Sequence, residues 1–373
     1  MAALAARRLG ESQALIQAVH AAAYRIPTDK PEADGTLSWD STTLVTVEVE
    51  GGGRTGLGYT YSSGAVVSLI EGTLAQAIDR ADALDVPSCW QAMQHSIRNL
   101  GRAGLVATAI SAVDAALWDL KGKLLELPVA RLLGRCREAV PIYGSGGFTS
   151  YSDEELRTQL SGWVEREGCQ WVKMKVGSQP ERDPHRVKVA RRAIGEATLF
   201  VDANGAYTSK QALQLAKRFR RQQVSWFEEP VSSDDLTGLR EVREHVPASM
   251  EVAAGEYGYT LDYFQHMLAA QAVDVLQADI TRCGGVTAFL RVAALCDVHH
   301  CDLSAHCAPA LHLHAACAAP RLRHLEWFHD HVRIEQQLFD GAPRPKDGRI
   351  RPDLSRPGLG LELKRSDAER YRI

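Results

Sequence analysis

Two lysines, Lys173 and Lys175, stand one residue apart inside the apolar run WVKMKVG. In a β-strand alternate side chains share a face, so both ammonium groups point one way while Val172, Met174 and Val176 point the other. Like charges on one face repel, and burying either is costly without a partner. Candidate partners follow at intervals of 20 to 28 residues: Asp202 in FVDAN, Glu228 in WFEEP, Glu256 in AAGE, Asp279 in LQADITRCGG, His306 in DLSAH and Glu326 in HLEWF. Three carboxylates at one phase of a repeat would repel in a mostly dry site. A hard divalent cation removes that repulsion, and Mg²⁺ suits an all-oxygen, partly hydrated set. Asp202, Glu228 and Glu256 are therefore the candidate metal ligands, with Asn204 adding a hydrogen bond around them and Glu229 read as structural.

The remaining groups suit proton transfer. Lys173 beside it, and partial burial, are expected to lower the pKa of Lys175 and make it a usable base. Asp279 is one step before His306. A carboxylate accepting from one imidazole nitrogen fixes the tautomer and raises the histidine's pKa. Glu326 is placed to hydrogen-bond a developing enolate oxygen if its own pKa is raised. HLH at 312–314 falls in a helical stretch where a two-residue spacing separates the rings, and HDH at 329–331 reads as a polar loop.

An interval of this size is one strand, one helix and two short loops. Eight β-branched runs, from VPIYGS at 140 to LRHLEWF at 322, alternate with amphipathic stretches. This pattern predicts an α/β fold with a parallel barrel whose active site gathers at the C-terminal strand ends, a doubly wound open sheet being the competing arrangement. Before it, residues 44–61 alternate around a glycine cluster and read as a hairpin. The polar stretch YRIPTDKPEADGTLSWDSTT reads as a flap loop, and helical patterns cover about 67–82 and 106–126. Strands followed by helices make an N-terminal α+β unit.

Composition excludes several classes. A net charge of -3 gives no footprint for nucleic acid, and no apolar run is long enough to cross a membrane. Eight cysteines without a C-x-x-C pair suit reduced thiols in a cytoplasmic protein; Cys307, beside a histidine, is the only one placed near chemistry and is read first as a small buried filler, and whether it or Cys283 touches substrate stays open. The opening MAALAARRLG is too short and broken for a signal peptide and reads as a frayed terminus.

Taken together, K-x-K at 173–175, VDAN, WFEEP, Gly255–Glu256, QADITRCGGVT, SAH at 304–306, HLEWF and the helix AVDAALWDLKGK resemble the enolase superfamily, within it the mandelate racemase-like group. The resemblance implies a capping/lid domain over 1–130, a modified (β/α)7β TIM-type barrel over 131–345, and a C-terminal segment, 346–373, returning to the cap. It implies Asp202, Glu228 and Glu256 as Mg²⁺ ligands and Lys175 as the base on one face. Lys173 would touch the substrate carboxylate, His306 with Asp279 would serve the opposite face, and Glu326 the enolate oxygen. It also implies a small-molecule carboxylate substrate and a homo-oligomer.

The shared step is abstraction of a proton α to a carboxylate. Loss of a β-hydroxyl then gives a 2-keto-3-deoxy acid, and reprotonation on the opposite face gives a racemase or epimerase. A polar lid with Trp39 and Tyr61 nearby, and Ser145 as a hydroxyl donor at a strand end, favours sugar-acid dehydration. A racemase of a 2-hydroxy acid and a silent metal-binding barrel are the alternatives. A zinc hydrolase is disfavoured because no histidine–cysteine ligand set is evident.

Overall fold

The computed structural model describes residues 14–373, so the MAALAARRLG segment lies outside the described residues. Three antiparallel strands begin the chain, β1 (Ile16–Ala33), β2 (Ser38–Gly51) and β3 (Arg54–Tyr61), in that order in one sheet. Val45, Val47 and Val49 alternate along β2 and are fully buried under the helix Leu105–Leu124. Close approach of that helix requires glycine on β3. A Cβ at Gly58 would stand 2.2 Å from the carbonyl oxygen of Ala112.

The expected flap loop at 24–43 is instead the far end of the β1–β2 hairpin. Pairing persists to Ala33↔Ser38, with a register shift between Pro27 and Glu32 that bulges residues 28–31 outward. Its polar sequence lacks strand alternation because this end leaves the cap's core and reaches over the barrel. The helix expected at 67–82 ends at Ile78 after a π turn at Ile70–Leu74, and a further helix, Val86–Ser96, follows.

Eight strands then alternate with helices: β4 (Val140–Gly146), β5 (Trp171–Lys175), β6 (Thr198–Asp202), β7 (Val224–Glu228), β8 (Glu251–Ala254), β9 (Val275–Ala278), β10 (Asp302–Ala305) and β11 (Leu322–Phe328). Each pairs in parallel with the next, and β11 pairs in parallel with β4 from Leu325↔Ile142 to Phe328↔Ser145. This pairing closes the ring and discards the open sheet. Ser152–Glu155 and Thr208–Gln211 form capping boxes that start two of the outer helices cleanly after their loops. Val172 and Met174 face those helices, while Tyr143, Phe200, Trp226, Ala253 and Val275 fill the barrel interior. That aromatic plug excludes water beneath the strand ends and forces what lies above it to be positioned by dry packing.

The cap is joined to the barrel by a buried carboxylate. Asp114, on the helix Leu105–Leu124, accepts from the backbone N–H of Thr287 (2.9 Å) and from its hydroxyl (2.6 Å). Thr287 lies in the first turn of the helix Gly285–Val298, so Asp114 supplies from another domain the acceptor that an N-cap residue normally provides. At the other end of the chain, Ile373 N–H donates to the Ala23 carbonyl (3.0 Å) and Arg25 N–H to the Tyr371 carbonyl (2.8 Å), so the last residues lie against β1. All eight cysteines are free. Among the described residues no helix is long and apolar enough to cross a membrane.

Candidate active site

Register decides which charged groups meet. Lys175 pairs with Asp202, and Asp202 with Glu228, across β5, β6 and β7, which puts the three side chains in one inward layer at the top of the barrel. Lys173 lies one layer down, opposite Phe200. Glu256 comes two residues past the end of β8, after Gly255 at φ 132°. A Cβ at Gly255 would meet the Gln277 carbonyl oxygen at 2.1 Å, so only glycine lets the chain turn there and aim Glu256 inward.

Asp202, Glu228 and Glu256 are all buried, and each offers an oxygen within 4.8 Å of the others. Both lysines are drawn into this cluster. Lys175 Nζ is 2.5 Å from Asp202, and Lys173 donates to Glu228 and lies 2.8 Å from Glu326 and 3.4 Å from Asp202. The expectation of a lowered Lys175 pKa fails here. Burial and Lys173 push it down, but Asp202, Glu256 and Glu228 outweigh them, and it rises above the ordinary lysine value. In this arrangement the lysines are the counter-ions of the carboxylates. The same balance corrects Glu326. Burial would raise its pKa, yet Lys173, His306 and Lys175 pull it down to about 2, so it is an acceptor and has no proton to give. Burial, with Asp202 next, lifts Glu228 to about 8.

On the other side of the mouth, His306 Nδ1 meets Asp279 Oδ2 at 2.7 Å. Nε2 is then the ring nitrogen that faces Glu256 (3.2 Å) and Glu326 (3.6 Å). Burial opposes a charge on His306, but Cys307, Glu256, Glu326 and the bond to Asp279 hold its pKa well above the usual value.

Between the cap hairpin and the strand ends is a cavity of about 360 Å³. Lys175, His306, Glu256, Asn204 and Glu326 form its floor, and Trp39 and Tyr61 line it from the cap, so five of the expected catalytic and metal groups or their neighbours share one space with the two lid aromatics. Ser41, Thr42, Thr43 and Ser62 line the cavity on the cap side, the hydroxyls of Ser41, Thr42 and Ser62 being paired with Asp40, Asp330 and Thr108. Lys173 and Ser145 do not reach it. Ser145 is fully buried and donates to Glu326 Oε1 at 2.5 Å, so it orients a carboxylate and is no free donor for a ligand.

Two residues were not anticipated. Arg282, three residues after Asp279, lines the cavity and lies 3.6 Å from both Glu256 and Asp279. Its position at the same strand end was the available signal. His331, assigned to a polar loop, sits in the first turn of the helix His329–Leu338 and stacks on Tyr61 with ring centroids 3.5 Å apart. It accepts from Ala308 N–H at Nδ1. No local pattern in HDH announces this, because the contact comes from the cap. Cys307 also lines the cavity, whereas Cys283 does not; the Cys307 sulfur lies 3.3 Å from His306 Nε2, so a histidine–cysteine pair is present after all. His312 and His314 are structural: Nε2 of the first accepts from Ile280 N–H and Nδ1 of the second from Ala130 N–H.

The residues present fit a hard cation. The donor set is all oxygen, and Glu256 Oε2, Glu229 Oε1 and Asn204 Oδ1 are buried without a hydrogen-bond donor. Asp202 Oδ1 is separately held by the Asn204 backbone N–H at 2.9 Å.

Residues 18–134 match the mandelate racemase / muconate lactonizing enzyme N-terminal domain, and residues 155–368 match the enolase C-terminal domain-like family. The 3,6-anhydro-alpha-L-galactonate cycloisomerase of Streptomyces coelicolor is 33% identical over 94% of this chain and 97% of its own. A mandelate racemase/muconate lactonizing enzyme-like protein from Rubrobacter xylanophilus superposes with a TM-score of 0.94 at 54% identity, covering 96% of this chain and 100% of that one. The L-talarate/galactarate dehydratase of Salmonella typhimurium, liganded with Mg and L-lyxarohydroxamate, superposes at 0.88 with 27% identity, over 99% of this chain and 95% of that one.

Proposed function

The chain belongs to the mandelate racemase / muconate lactonizing enzyme group of the enolase superfamily, and from that premise we propose that it is a Mg²⁺-dependent dehydratase of a sugar acid. The observation that carries the reading is the convergence of Lys175 and His306 on one cavity beside three clustered carboxylates. Asp202, Glu228 and Glu256 would hold Mg²⁺, which when bound supplies a positive field for charge developing on the substrate carboxylate. Lys173, just below, adds a second fixed cation to that field and keeps Glu326 ionised. Lys175 takes the proton α to the carboxylate in its neutral form; the anions that raise its pKa, Asp202, Glu256 and Glu228, are the three that would hold Mg²⁺, and so held they would no longer favour its charge. His306, with its proton retained at Nδ1 by Asp279, carries another at Nε2 and delivers it to the departing β-hydroxyl as water leaves. The enol product then ketonises to a 2-keto-3-deoxy acid. The polar lining, with Ser41, Thr42, Thr43 and Ser62 on the cap side and Asn204 and Arg282 below, supports a polyhydroxy substrate over an apolar one, and the buried aromatic plug keeps bulk water from the proton carriers.

A second reading shares the first step. Lys175 and His306 approach from different strands, and the Streptomyces relative is a cycloisomerase, which supports an isomerase whose second proton transfer replaces dehydration. Purified protein with Mg²⁺, screened against a library of sugar acids for 2-keto-acid formation, tests the proposal. A hit abolished by chelator and by Lys175→Met supports it. Exchange of the α-proton in deuterated water without any keto acid would replace it by the isomerase reading.

A further inference from the structure

Beside the oxygen-only cluster is a second set of potential ligands of different chemical character. His306 Nε2, Cys307 Sγ and Glu326 Oε2 come from the ends of β10 and β11, and the three separations are 3.3 Å (N to S), 3.4 Å (S to O) and 3.6 Å (N to O). A tetrahedral ion with bonds of about 2.3 Å to sulfur and about 2.0–2.1 Å to nitrogen and oxygen holds its ligands roughly 3.3–3.6 Å apart. The three atoms thus already stand at the spacing such an ion demands.

The surrounding hydrogen bonds match as well. Metal-bound imidazoles commonly give their other N–H to a carboxylate, and His306 Nδ1 does so to Asp279 at 2.7 Å. Ligating carboxylates are themselves anchored, and Glu326 uses Oε1 for Ser145 and Lys173, while Oε2, which accepts from the Cys307 backbone N–H at 3.2 Å, faces the Cys307 sulfur and His306. The fourth direction opens on the cavity, which all three residues line. Neither anchor is needed to explain the close approach of a thiol to a histidine.

We propose that His306, Cys307 and Glu326 form a thiophilic metal site, distinct from the carboxylate site, at which an ion of the Zn²⁺ class binds and takes His306 out of proton transfer. Binding forms one bond each from sulfur, nitrogen and oxygen to the metal. The S–H bond breaks, its proton goes to solvent together with any proton on Nε2, and no electrons change hands. Mg²⁺ is excluded by preference, since sulfur and nitrogen are poor partners for a hard cation. The inhibitory consequence rests on reading His306 as a proton carrier, whereas the binding itself does not.

Co²⁺ serves as the probe, in protein saturated with Mg²⁺ and carrying Cys136→Ser and Cys301→Ser to silence the two cysteines that are not buried. A near-ultraviolet thiolate-to-cobalt charge-transfer band should appear, titrate to one ion per chain, and vanish in Cys307→Ser. Asp279→Asn should weaken Co²⁺ binding about 10–100-fold. Zinc-edge anomalous density between the three side chains in crystals of the unsubstituted protein gives a variant-free check. Absence of the band, its persistence in Cys307→Ser, or zinc density found only at Asp202, Glu228 and Glu256 would overturn the proposal. These readouts need no substrate, so they stand or fall separately from the dehydratase reading. Once a substrate is in hand, Zn²⁺ should suppress 2-keto-acid formation, the step His306 serves, in the unsubstituted enzyme, and Cys307→Ser should need at least tenfold more Zn²⁺ for the same suppression; equal sensitivity would remove the inhibitory role.

Discussion

Lys173 Nζ lies 2.8 Å from Glu326, a carboxylate on the strand that closes the ring from the far side of β4, and it donates to Glu228 as well. One fully buried ammonium therefore bridges the three clustered carboxylates and the Glu326–His306 side of the mouth. Removing it leaves buried negative charge without a partner. Lys173→Met is expected to cost roughly 3–5 kcal/mol of stability in chelator, the penalty typical of breaking a buried ion pair. Saturating Mg²⁺ should recover more of that loss in the variant than it adds to the parent, because the cation then replaces the missing charge. Thermal melts of both proteins with and without Mg²⁺ decide the matter, and equal Mg²⁺ stabilisation would show that Lys173 does not offset the cluster.

Asp279→Asn should separate orientation from binding. The amide can present its NH₂ to His306 Nδ1 and reverse the tautomer, so the nitrogen facing the cavity no longer has the required protonation. A fall in kcat of about 10²–10⁴ with KM nearly unchanged is expected, in line with the usual worth of a positioned general acid or base. A change confined to KM would mean that the pair only binds.

Gly255→Ala should act on metal affinity from outside the ligand set. The added Cβ meets the Gln277 carbonyl at 2.1 Å and cannot accept φ 132° without strain, so the segment carrying Glu256 must shift. Mg²⁺ affinity, read by the ligand-dependent rise in Tm, should drop at least tenfold. Unaltered affinity in a folded variant would mean that Glu256 is not held by this turn.

The cap–barrel junction predicts a dependence on pH. Burial, against the opposing hydrogen bonds from Thr287 and the charge of Arg291, pushes Asp114 up to about 7. The unfolded carboxyl ionises near 4. A folded pKa above the unfolded one means that this group's favourable contribution is complete below pH 4 and is lost as pH rises through 7. Asp114→Asn should remove that slope, so the stability of the parent should decline relative to the variant between pH 4 and 7, by a few kcal/mol at most. Parallel curves would assign the pH dependence elsewhere.

What the residues disclosed before folding depended on periodicity. The ring, its eight strands and the layer shared by Lys175, Asp202 and Glu228 follow from an apolar alternation and a constant step, and a constant step fixes register. The hairpin end at 24–43 was misread because it has polar residues on both faces and is held by backbone pairing and single anchors such as Trp39 Nε1 on Glu32. The charge states of Lys175 and Glu326 were not legible for another reason. Burial and the neighbour on the same strand, Lys173, both lower the Lys175 pKa, and the groups that outweigh them, Asp202, Glu256 and Glu228, come from other strands; Glu326 likewise depends on Lys173, Lys175 and His306 across the ring. Cys307 meets Glu326 only when β11 joins β10, and His331 meets Tyr61 only when the cap and the last barrel helix are in place.

The hydrogen bond from Ser145 to Glu326 closes the barrel between residues 181 positions apart. Ribosomes add roughly 5–20 residues per second, so the first partner waits on the order of 10 to 40 seconds for the second. By the time Glu326 is made, Asp202, Glu228 and Glu256 are already in the chain, while β4 still has an unpaired edge and Lys173 lacks one of its three anions. The order of synthesis thus delivers the three clustered carboxylates before His306 and Glu326, and the candidate cation cradle is complete in sequence while the ring is still open.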